Sequence, residues 1–521
     1  MGVFVKENIT IEIHRNCYKL YPFKYSRWNK EKKMSIGTSP SLDKAFSIYE
    51  RYLRFFTKKD LLELYDKDNH EYYIPIGADL KYITSLLDKD EVLYQIIDKS
   101  NTFVNPRDSS FEIDEKYQLR DQNQAESIDF LTTDKLFHSR MLALSTGTGK
   151  TFCAIVAAFK LKMPVLIISE TLSDQWCQKI IEYTNSTCTI ENKSIRLIKG
   201  TDKFANLMNN RKASVAKFYI TTSSTLASTI KKFGKEFVNK ICDYLGIGIK
   251  CFDEFHMHWK QNNLIDMTIQ TYLTWYLTAT PSRSNEEQKR LFYKTVTKIP
   301  SYGSKTFYER VDINLINIEY NTYPNELEHQ KCFTSKGISS VLYWNYIFDK
   351  YNRVMYISGI LKMIIDEILD KEPEAKILVY LAKLDHIDKF KRHFEAIYEK
   401  LDFGNYTTDV ERKRKRYEIR KNVIFTTIGS GGVGLDVDNL QCVVSFIPFS
   451  SQITATQLIG RLRNIKDEEG NPKELYFYDC IDTGFRIMRT QRERRMTVYR
   501  PRSKNIENFR ISENEALKYL V

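Results

Sequence analysis

The hydrophobic pattern of the chain changes near residue 116, where short apolar runs begin to alternate with amphipathic segments of helical period. The runs of a first series are MLAL (141–144), VLIIS (165–169), FYITT (218–222), IGIKCFDE (247–254) and WYLTAT (275–280). A second series, beginning near residue 345, contains KILVYL (376–381), NVIFTT (422–427), CVVSFI (442–447) and ELYFYDC (474–480). Such alternation is typical of βαβ units around a parallel sheet, so the pattern predicts two similar α/β lobes in tandem.

The two series divide the chain into a small α+β N-terminal domain, a first lobe, a connector, a second lobe and a C-terminal tail. The predicted boundaries, in that order, are 1–115, 116–310, 311–345, 346–500 and 501–521. Within the N-terminal domain, strand-like pieces lie at 3–14 and 72–76, and a helical stretch lies at 42–56. The predicted fold class is therefore α/β, with two tandem parallel-sheet lobes behind a small α+β domain.

Composition narrows the class of protein. Apolar residues make up 42% of the 521 residues and aromatic residues 13%, which supports packed cores and excludes extended disorder. The net charge of +13 favours a polyanionic partner such as nucleic acid. Nine scattered cysteines without a CxxC pair argue against a zinc site or a disulfide framework. The first residues lack an apolar signal-peptide core, and no run reaches the roughly 20 apolar residues of a membrane helix. We therefore expect a soluble intracellular protein without a membrane partner.

The strongest local signal is a glycine-rich loop between the run MLAL and a helical segment. Its residues are Ser145, Thr146, Gly147, Thr148, Gly149, Lys150 and Thr151. Glycines allow a tight turn whose backbone N–H groups surround phosphate oxygens at a helix N-terminus. In such a loop the lysine reaches the β- and γ-phosphates and the last hydroxyl holds Mg²⁺. The strict pattern has glycine where this chain has Leu144, and the alternative is a glycine-rich turn without a ligand.

Two adjacent acids, Asp253 and Glu254, end an apolar run about a hundred residues later. Burying unpaired carboxylates is costly, and a magnesium ion would supply a reason for them. Asp253 is predicted to hold Mg²⁺ through water, and Glu254 to polarise the water that attacks the γ-phosphate. A metal pair of His256 and His258 is the weaker interpretation, because no third ligand stands nearby.

The order of these motifs resembles superfamily 2 helicases. GTGKT, DEFH and LTATP (277–281) look like motifs I, II and III of that family, which implies two RecA-like lobes. The resemblance implies that Arg120 and Gln124 read the adenine of ATP and that Ser169 and Thr222, in segments similar to motifs Ia and Ib, contact nucleic acid. The residues implied to couple the nucleotide site to the rest of the motor are His256, Thr278 and Thr280.

The second series also carries helicase-like motifs. Residues 426–436 (TTIGSGGVGLD) resemble motif V, which implies that Thr427 contacts nucleic acid and that Gly434 and Asp436 serve the nucleotide. Residues 457–463 (QLIGRLR) resemble motif VI, whose arginines act on the transferring phosphoryl group as an arginine finger does. The implied catalytic residues of this motif are Gln457, Arg461 and Arg463. The family's last arginine falls on Asn464 here, and Arg463 lies one residue early.

The finer resemblance is to phage UvsW-type branch-migration helicases and to related poxviral transcript-release helicases, on the residues LTATPSRS, GGVGLD and QLIGRLR. It implies an ATP- and Mg²⁺-dependent DNA helicase or translocase that remodels forks, branched DNA or R-loops in replication, recombination or repair. The implied partners are branched or single-stranded DNA, with RNA as an alternative, and replication, recombination or transcription proteins. A phage protein of this kind acts in the host cytoplasm. The other hypotheses are a transcription-associated motor and a motor subunit of a restriction or defence complex.

Three further segments leave alternatives open. The aromatic and basic residues of 21–30 and 73–77 either stack on bases and hold phosphates or form the N-terminal domain's own core. The run 412–416 (RKRKR) is interpreted as a solvated helix face in preference to a DNA contact. The arginines near the C-terminus form either a phosphate-facing surface or a solvated face; they are Arg486, Arg489, Arg492, Arg494 and Arg495.

Overall fold

The chain forms two compact units, residues 1–307 and 308–521. The computed structural model describes residues 8–22, 65–66, 71–89, 91–101, 106–133, 138–144, 148–169, 173–209, 215–278, 292–303, 312–335, 337–398, 401–407, 410, 414, 417–431, 437–467 and 469–520. The predicted helix at 42–56 lies outside these residues. None of the helices in the described ranges is both long and apolar enough to cross a membrane.

A five-stranded sheet forms the N-terminal part of the first unit. Its elements are β1 (Asn8–Ile13), β2 (Cys17–Pro22), β3 (Tyr65–Asp66), β4 (Glu71–Pro75), helix α1 (Leu80–Lys89) and β5 (Leu93–Asp98). The strand order is β3-β4-β2-β1-β5, with β1 and β5 parallel and the other pairs antiparallel. The apolar face of the sheet, which includes Ile11, Tyr72 and Ile74, shares one core with the first lobe. Tyr72 and Ile74 therefore serve as core residues.

The first lobe is a parallel sheet of seven strands in the order β12-β6-β11-β10-β7-β9-β8. Strands buried on both faces read as continuous apolar runs, which is why the sequence reveals most of them. The strands are β6 (Ser139–Ala143), β7 (Val165–Ile168), β8 (Ile195–Ile198), β9 (Phe218–Thr221), β10 (Ile249–Asp253), β11 (Leu273–Thr278) and β12 (Ser301–Tyr302). The helices are α2 (Gln122–Thr132), α3 (Lys150–Leu161), α4 (Ser173–Tyr183), α5 (Thr201–Ala205), α6 (Ser223–Phe233), α7 (Lys235–Leu245) and α8 (Trp259–Thr268).

The second unit is also built on a seven-stranded parallel sheet, in the order β17-β18-β16-β19-β20-β13-β21. The strands are β13 (Ile313–Tyr320), the hairpin β14 (Phe333–Thr334) and β15 (Gly337–Ile338), β16 (Lys376–Leu381), β17 (Phe403–Tyr406), β18 (Val423–Thr427), β19 (Leu440–Ser445), β20 (Leu475–Asp482) and β21 (Ser503–Arg510). The helices are α9 (Glu326–Lys331), α10 (Ser340–Phe348), α11 (Tyr351–Lys371), α12 (Leu384–Ile397), α13 (Ile428–Gly431), α14 (Gln452–Ile459), α15 (Arg486–Tyr499) and α16 (Glu513–Leu517). The predicted fold class, two tandem parallel-sheet lobes with a small N-terminal sheet domain, is confirmed.

Two predicted boundaries of the second lobe are wrong. The segment 311–345 is not a connector, because β13 lies inside the second sheet between β20 and β21. The segment 501–521 is not a tail, because β21 pairs with β13 as an edge strand of that sheet. Asn314 and Asn317 interrupt the apolar run of β13, and the side chains of β21 are mostly exposed. Neither strand therefore shows the hydrophobic signal of a buried parallel strand.

Candidate active site

The phosphate-loop segment leads directly into helix α3. Gly149 precedes the helix with φ of 95°, in the left-handed region that favours glycine. A Cβ at this position would lie 2.5 Å from Nε2 of Gln124. The Nζ of Lys150 donates to the carbonyl oxygen of Leu144 at 2.9 Å, and Thr151 follows in the first helical turn. The predicted residues Ser145, Thr146 and Gly147 lie outside the described residues.

Gln124 connects the segment before the loop with the loop itself. Its carboxamide oxygen accepts from the backbone N–H of Arg120 at 2.9 Å, and its amide nitrogen donates to the carbonyl oxygen of Thr148 at 3.1 Å. Asp121 caps helix α2 by accepting from the backbone N–H of Gln124 at 3.0 Å. The oxygen and the nitrogen of the Gln124 side-chain amide, which was predicted to read adenine, thus both bond to the backbone and stabilise the loop. A direct adenine contact by Arg120 or Gln124 stays a prediction.

The two predicted acids lie at the carboxyl end of β10. One oxygen of Asp253, Oδ2, accepts from the indole Nε1 of Trp176 at 2.8 Å and from the hydroxyl of Ser169 at 3.4 Å. Burial and the neighbouring charge of Glu254 raise the pKa of Asp253 to about 6, although Trp176, Lys150 and Ser169 each lower it. Lys150 and the two carboxylates therefore belong to one electrostatic environment.

His256 joins this acidic site to the end of the adjacent strand β11. Its Nδ1 lies 3.3 Å from Oε2 of Glu254 and 2.8 Å from the hydroxyl of Thr278. Both His256 and Thr278 are buried. The structure thus brings together two of the three predicted coupling residues; the third, Thr280, lies outside the described residues. Within the described ranges, no group of three or more His, Cys, Asp or Glu residues is arranged to hold a metal ion.

The site fits a magnesium-bound triphosphate. Mg²⁺ takes oxygen ligands and is commonly held by one or two carboxylates together with substrate phosphates. The carboxylate of Asp253 and the hydroxyl of Thr151 both offer oxygen atoms as ligands. Burial raises the pKa of Asp253, and a bound cation would offset the cost of keeping its carboxylate ionised. The N-terminus of α3 and Lys150 offer N–H donors and a positive charge for phosphate oxygens.

The predicted nucleic-acid contacts are placed differently from one another. Ser169 is 2% exposed and its hydroxyl donates to Asp253, so it belongs to the acidic site and not to an exposed surface. Thr222 is half-buried and caps helix α6 by accepting from the backbone N–H of Thr225 at 3.1 Å. Thr427 is half-buried at the carboxyl end of β18. Thr222 and Thr427 remain candidates for contact with a phosphate backbone.

In the second unit, Gln457 lies in helix α14, and Arg461 follows the end of that helix at Gly460. Arg461 is 9% exposed, and its charge opposes the increase that burial imposes on the pKa of Tyr380. Arg463 is half-buried, whereas Asn464 is exposed. The predicted nucleotide-side residues Gly434 and Asp436 lie outside the described residues.

The C-terminal arginines do not form one phosphate-facing surface. Arg495 is fully buried and donates from Nη2 to both carboxylate oxygens of Asp479 at 2.8 Å. Arg492 is buried and bonds to Glu319 at 3.2 Å. These two side chains hold helix α15 against the sheet, while Arg486, Arg489 and Arg494 are exposed. In the run 412–416, only Arg414 is described; it is exposed and bonds to Glu418 at 3.1 Å.

Comparison with known proteins places these features in context. Residues 116–283 match the family described as type III restriction enzyme, res subunit. The chain is 22% identical over 426 residues to putative helicase 161L of Invertebrate iridescent virus 6, covering 76% of this chain and 84% of the viral one. Among solved structures, Mss116p bound to ssRNA and AMP-PNP matches at 13% identity and a TM-score of 0.50, over 80% of this chain and 84% of that chain. T4 UvsW matches over 97% of this chain and all of its own at 16% identity, with a TM-score of 0.33.

The likeness to Mss116p shows the fold. The restriction-subunit family and the viral relative support an ATP-dependent motor of the superfamily 2 helicase type. The resemblance predicted from the motifs is therefore confirmed at the level of the superfamily.

Proposed function

We propose that this superfamily 2 helicase-type chain hydrolyses ATP at the carboxyl edge of the parallel sheet in its first lobe. It would use the energy of hydrolysis to move along DNA. The observation that supports this most directly is the common position of the acids and the phosphate loop. In the sheet, only β11 separates β6, which precedes the loop, from β10, which ends at Asp253. Because the strands are parallel, their carboxyl ends lie along the same edge, where ligands of such folds bind.

Each residue at this edge has a proposed role. Lys150 and the backbone N–H groups of α3 would bind the β- and γ-phosphates, and Thr151 and Asp253 would hold Mg²⁺. When bound, Mg²⁺ neutralises charge on the phosphate oxygens. Glu254 would orient the attacking water and accept its proton, with His256 fixing the direction of its carboxylate through the 3.3 Å contact.

The second unit is proposed to complete hydrolysis. Arg461, supported by Gln457 and Arg463, would offset negative charge that develops on the transferred phosphoryl group. A largely buried guanidinium is suited to this because it is weakly hydrated and always charged. Gly434 and Asp436 are proposed to contact the nucleotide from the same unit.

The proposed track is DNA, in forks, branched structures or R-loops handled during replication, recombination or repair. The net charge of +13 supports a polyanionic partner, and the UvsW-like motifs favour DNA over RNA. Thr222 and Thr427 would contact sugar-phosphate groups, which position a strand without reading its sequence. The proposed protein partners are those of replication, recombination or transcription.

The test is ATP hydrolysis by the full chain with forked DNA, Holliday junctions, single-stranded DNA and RNA as separate stimulants. Branched DNA is expected to stimulate most, and stimulation by RNA alone would favour the transcription-associated motor. Glu254→Gln should bind ATP but lose hydrolysis by at least a hundredfold, in the range for removal of a general base. The matched control is Glu236→Gln, an exposed glutamate in helix α7 of the same unit, which should keep the parent rate. Parent-like hydrolysis by Glu254→Gln would overturn the catalytic assignment.

A second candidate is the motor subunit of a restriction or defence complex, and the match of residues 116–283 to a restriction-enzyme subunit family favours it. The nuclease would then reside in a partner protein. Co-purification from native cells, followed by cleavage assays with ATP, separates the two functions. Stable association with a nuclease whose cleavage requires Lys150 would support this candidate, and ATP-driven unwinding by the isolated chain without any nuclease partner would oppose it.

A further inference from the structure

Trp176 makes a contact with the acidic site that the motifs do not predict. Its side chain is 2% exposed, and Nε1 donates to Oδ2 of Asp253 at 2.8 Å. The hydroxyl of Ser169 approaches the same oxygen at 3.4 Å. Ser169 follows strand β7 and Trp176 lies in helix α4, so two consecutive elements converge on one carboxylate oxygen.

Convergence on a single oxygen constrains the carboxylate. A donor aligned with Oδ2 fixes the side-chain torsion of Asp253, because rotation of the carboxyl group would break the bond. Neither Trp176 nor Ser169 donates to Oδ1, so that oxygen is left for other ligands. Hydrogen bonds to an ionised carboxylate are shorter and stronger than neutral ones, and 2.8 Å lies in their range.

The contact is not a general consequence of burying tryptophan in this fold. Trp275, on strand β11 of the same sheet, and Trp344, in helix α10, are both fully buried, yet their Nε1 atoms have no hydrogen-bond partner in the described part of the chain. The indole of Trp176, in contrast, is directed at the acid that ends β10. Trp275 and Trp344 can therefore serve as internal controls for Trp176, since their indole N–H groups are buried without a hydrogen-bond acceptor in the described residues.

We propose that Trp176 is a positioning residue that holds Asp253 in the orientation required to bind Mg²⁺ with the nucleotide, with Ser169 as the weaker second donor. The inference rests on the proposed function, because it assumes that Asp253 holds Mg²⁺. Trp176 acts through Asp253 and does not itself touch the metal. Outer partners of metal-binding side chains orient those side chains, and their loss commonly lowers metal affinity by 10- to 100-fold.

The test compares Trp176→Phe with Trp275→Phe in the full chain. Both substitutions keep an aromatic ring in a buried site and remove one indole N–H, but only the first removes a bond to Asp253. Binding of a fluorescent ADP analogue is titrated with Mg²⁺, and Tm is recorded for both variants. Trp176→Phe is expected to raise the half-saturating Mg²⁺ concentration about tenfold, the lower end of the known range, and to leave Mg²⁺-free binding unchanged. Trp275→Phe is expected to behave as the parent.

A spectroscopic signal gives a readout independent of hydrolysis. Addition of Mg²⁺ and nucleotide should change the indole emission of the parent and of Trp275→Phe, and this change should be absent in Trp176→Phe. Should Trp176→Phe fail to fold, Ser169→Ala carries the test, with an expected two- to threefold rise in the half-saturating Mg²⁺ concentration.

Lys150→Ala separates failure of this inference from failure of the proposed function. Equal Mg²⁺ dependence in Trp176→Phe and Trp275→Phe, or in Ser169→Ala and the parent, overturns the positioning role if Lys150→Ala still abolishes nucleotide binding. If Lys150→Ala binds the nucleotide as well as the parent does, the proposed nucleotide site itself is wrong.

Discussion

Replacing Asp253 by asparagine is expected to stabilise the nucleotide-free protein at neutral pH while abolishing Mg²⁺-dependent hydrolysis. The carboxylate is buried beside Glu254, and its pKa is raised from 3.8 to about 6. The ionised form therefore costs free energy in the folded state that it does not cost in the unfolded state. Asparagine is uncharged, and its side-chain oxygen can still accept from the indole of Trp176.

The size of the effect follows from the pKa difference. Raising the pKa by about two pH units corresponds to roughly 3 kcal/mol, at about 1.4 kcal/mol per pH unit. Because the folded-state pKa lies above the unfolded-state value, the folded state favours the protonated form. The penalty is thus absent below pH ~4, grows between pH ~4 and ~6, and is complete above pH ~6. Asp253→Asn should be more stable than the parent by about 3 kcal/mol at pH 7.5 and equal to it near pH 4.

The assay is urea unfolding of parent and variant in EDTA, followed by circular dichroism at pH 7.5 and pH 4, with the transitions of the two units fitted separately. The control is Asp129→Asn, whose carboxylate is 74% exposed and 3.4 Å from Lys160. It should change stability by less than about 0.5 kcal/mol. A parent as stable as Asp253→Asn at pH 7.5, or a difference that persists at pH 4, would refute the electrostatic reasoning.

Three further predictions concern the folded framework. Asp266→Asn leaves the buried ammonium of Lys250 without the carboxylate 2.7 Å away, and urea titration should show a loss of about 3–5 kcal/mol. Gly149→Ala places a Cβ on a backbone with φ of 95° and only 2.5 Å from a buried amide nitrogen, so ADP-analogue affinity should fall at least tenfold by fluorescence titration while the second unit unfolds as before. Arg495→Lys replaces a buried guanidinium whose Nη2 donates to both oxygens of the Asp479 carboxylate, and it should lower stability by about 2–4 kcal/mol, whereas Arg494→Lys, at an exposed position of the same helix, should have no effect in the same assay.

The parallel strands that are buried on both faces could be predicted from the sequence, and those with polar interruptions could not. The run ending at Asp253 is apolar throughout except for Lys250, so it reads as a buried strand despite the hidden ion pair. The apolar sequence of strand β13 is interrupted by two asparagines. The side chain of one of them, Asn317, donates a hydrogen bond to the side-chain oxygen of Asn508 in β21 at 3.0 Å. A polar contact between neighbouring strands removes the hydrophobic signal from both of them. The place of these two strands in the sheet is determined by their pairing with each other, and the periodicity of hydrophobic residues along the sequence carries no information about that pairing.

The candidate site shows the same division. The turn at Gly149 and the start of helix α3 at Lys150 depend on local backbone geometry and could be predicted from the spacing of the glycine-rich loop. The contact of Trp176 could not, because its bond to Asp253 joins residues 77 positions apart. For the C-terminal arginines a usable signal existed, since Arg492 and Arg495 share the helical face of buried apolar residues in α15. Side chains on such a face are expected to be buried and paired, whatever their charge.

The positions of buried charges and of strained backbone in the first lobe support the placement of the active site, without reference to any relative. Several buried charges elsewhere in the described residues have compensating partners: an opposite charge in the pairs Lys250–Asp266 at 2.7 Å and Arg495–Asp479 at 2.8 Å, and hydroxyl and backbone N–H donors around Asp482. At the carboxyl end of β10, burial and the adjacent charge of Glu254 raise the pKa of Asp253, and Glu254 also has φ of 47°, which costs about 1–3 kcal/mol for a non-glycine residue. Folding alone does not explain retention of that arrangement, since an amide at Asp253 would keep the bond from the indole and remove the charge. A divalent cation bound with a polyphosphate does explain it, because its charge offsets both carboxylates in a single step.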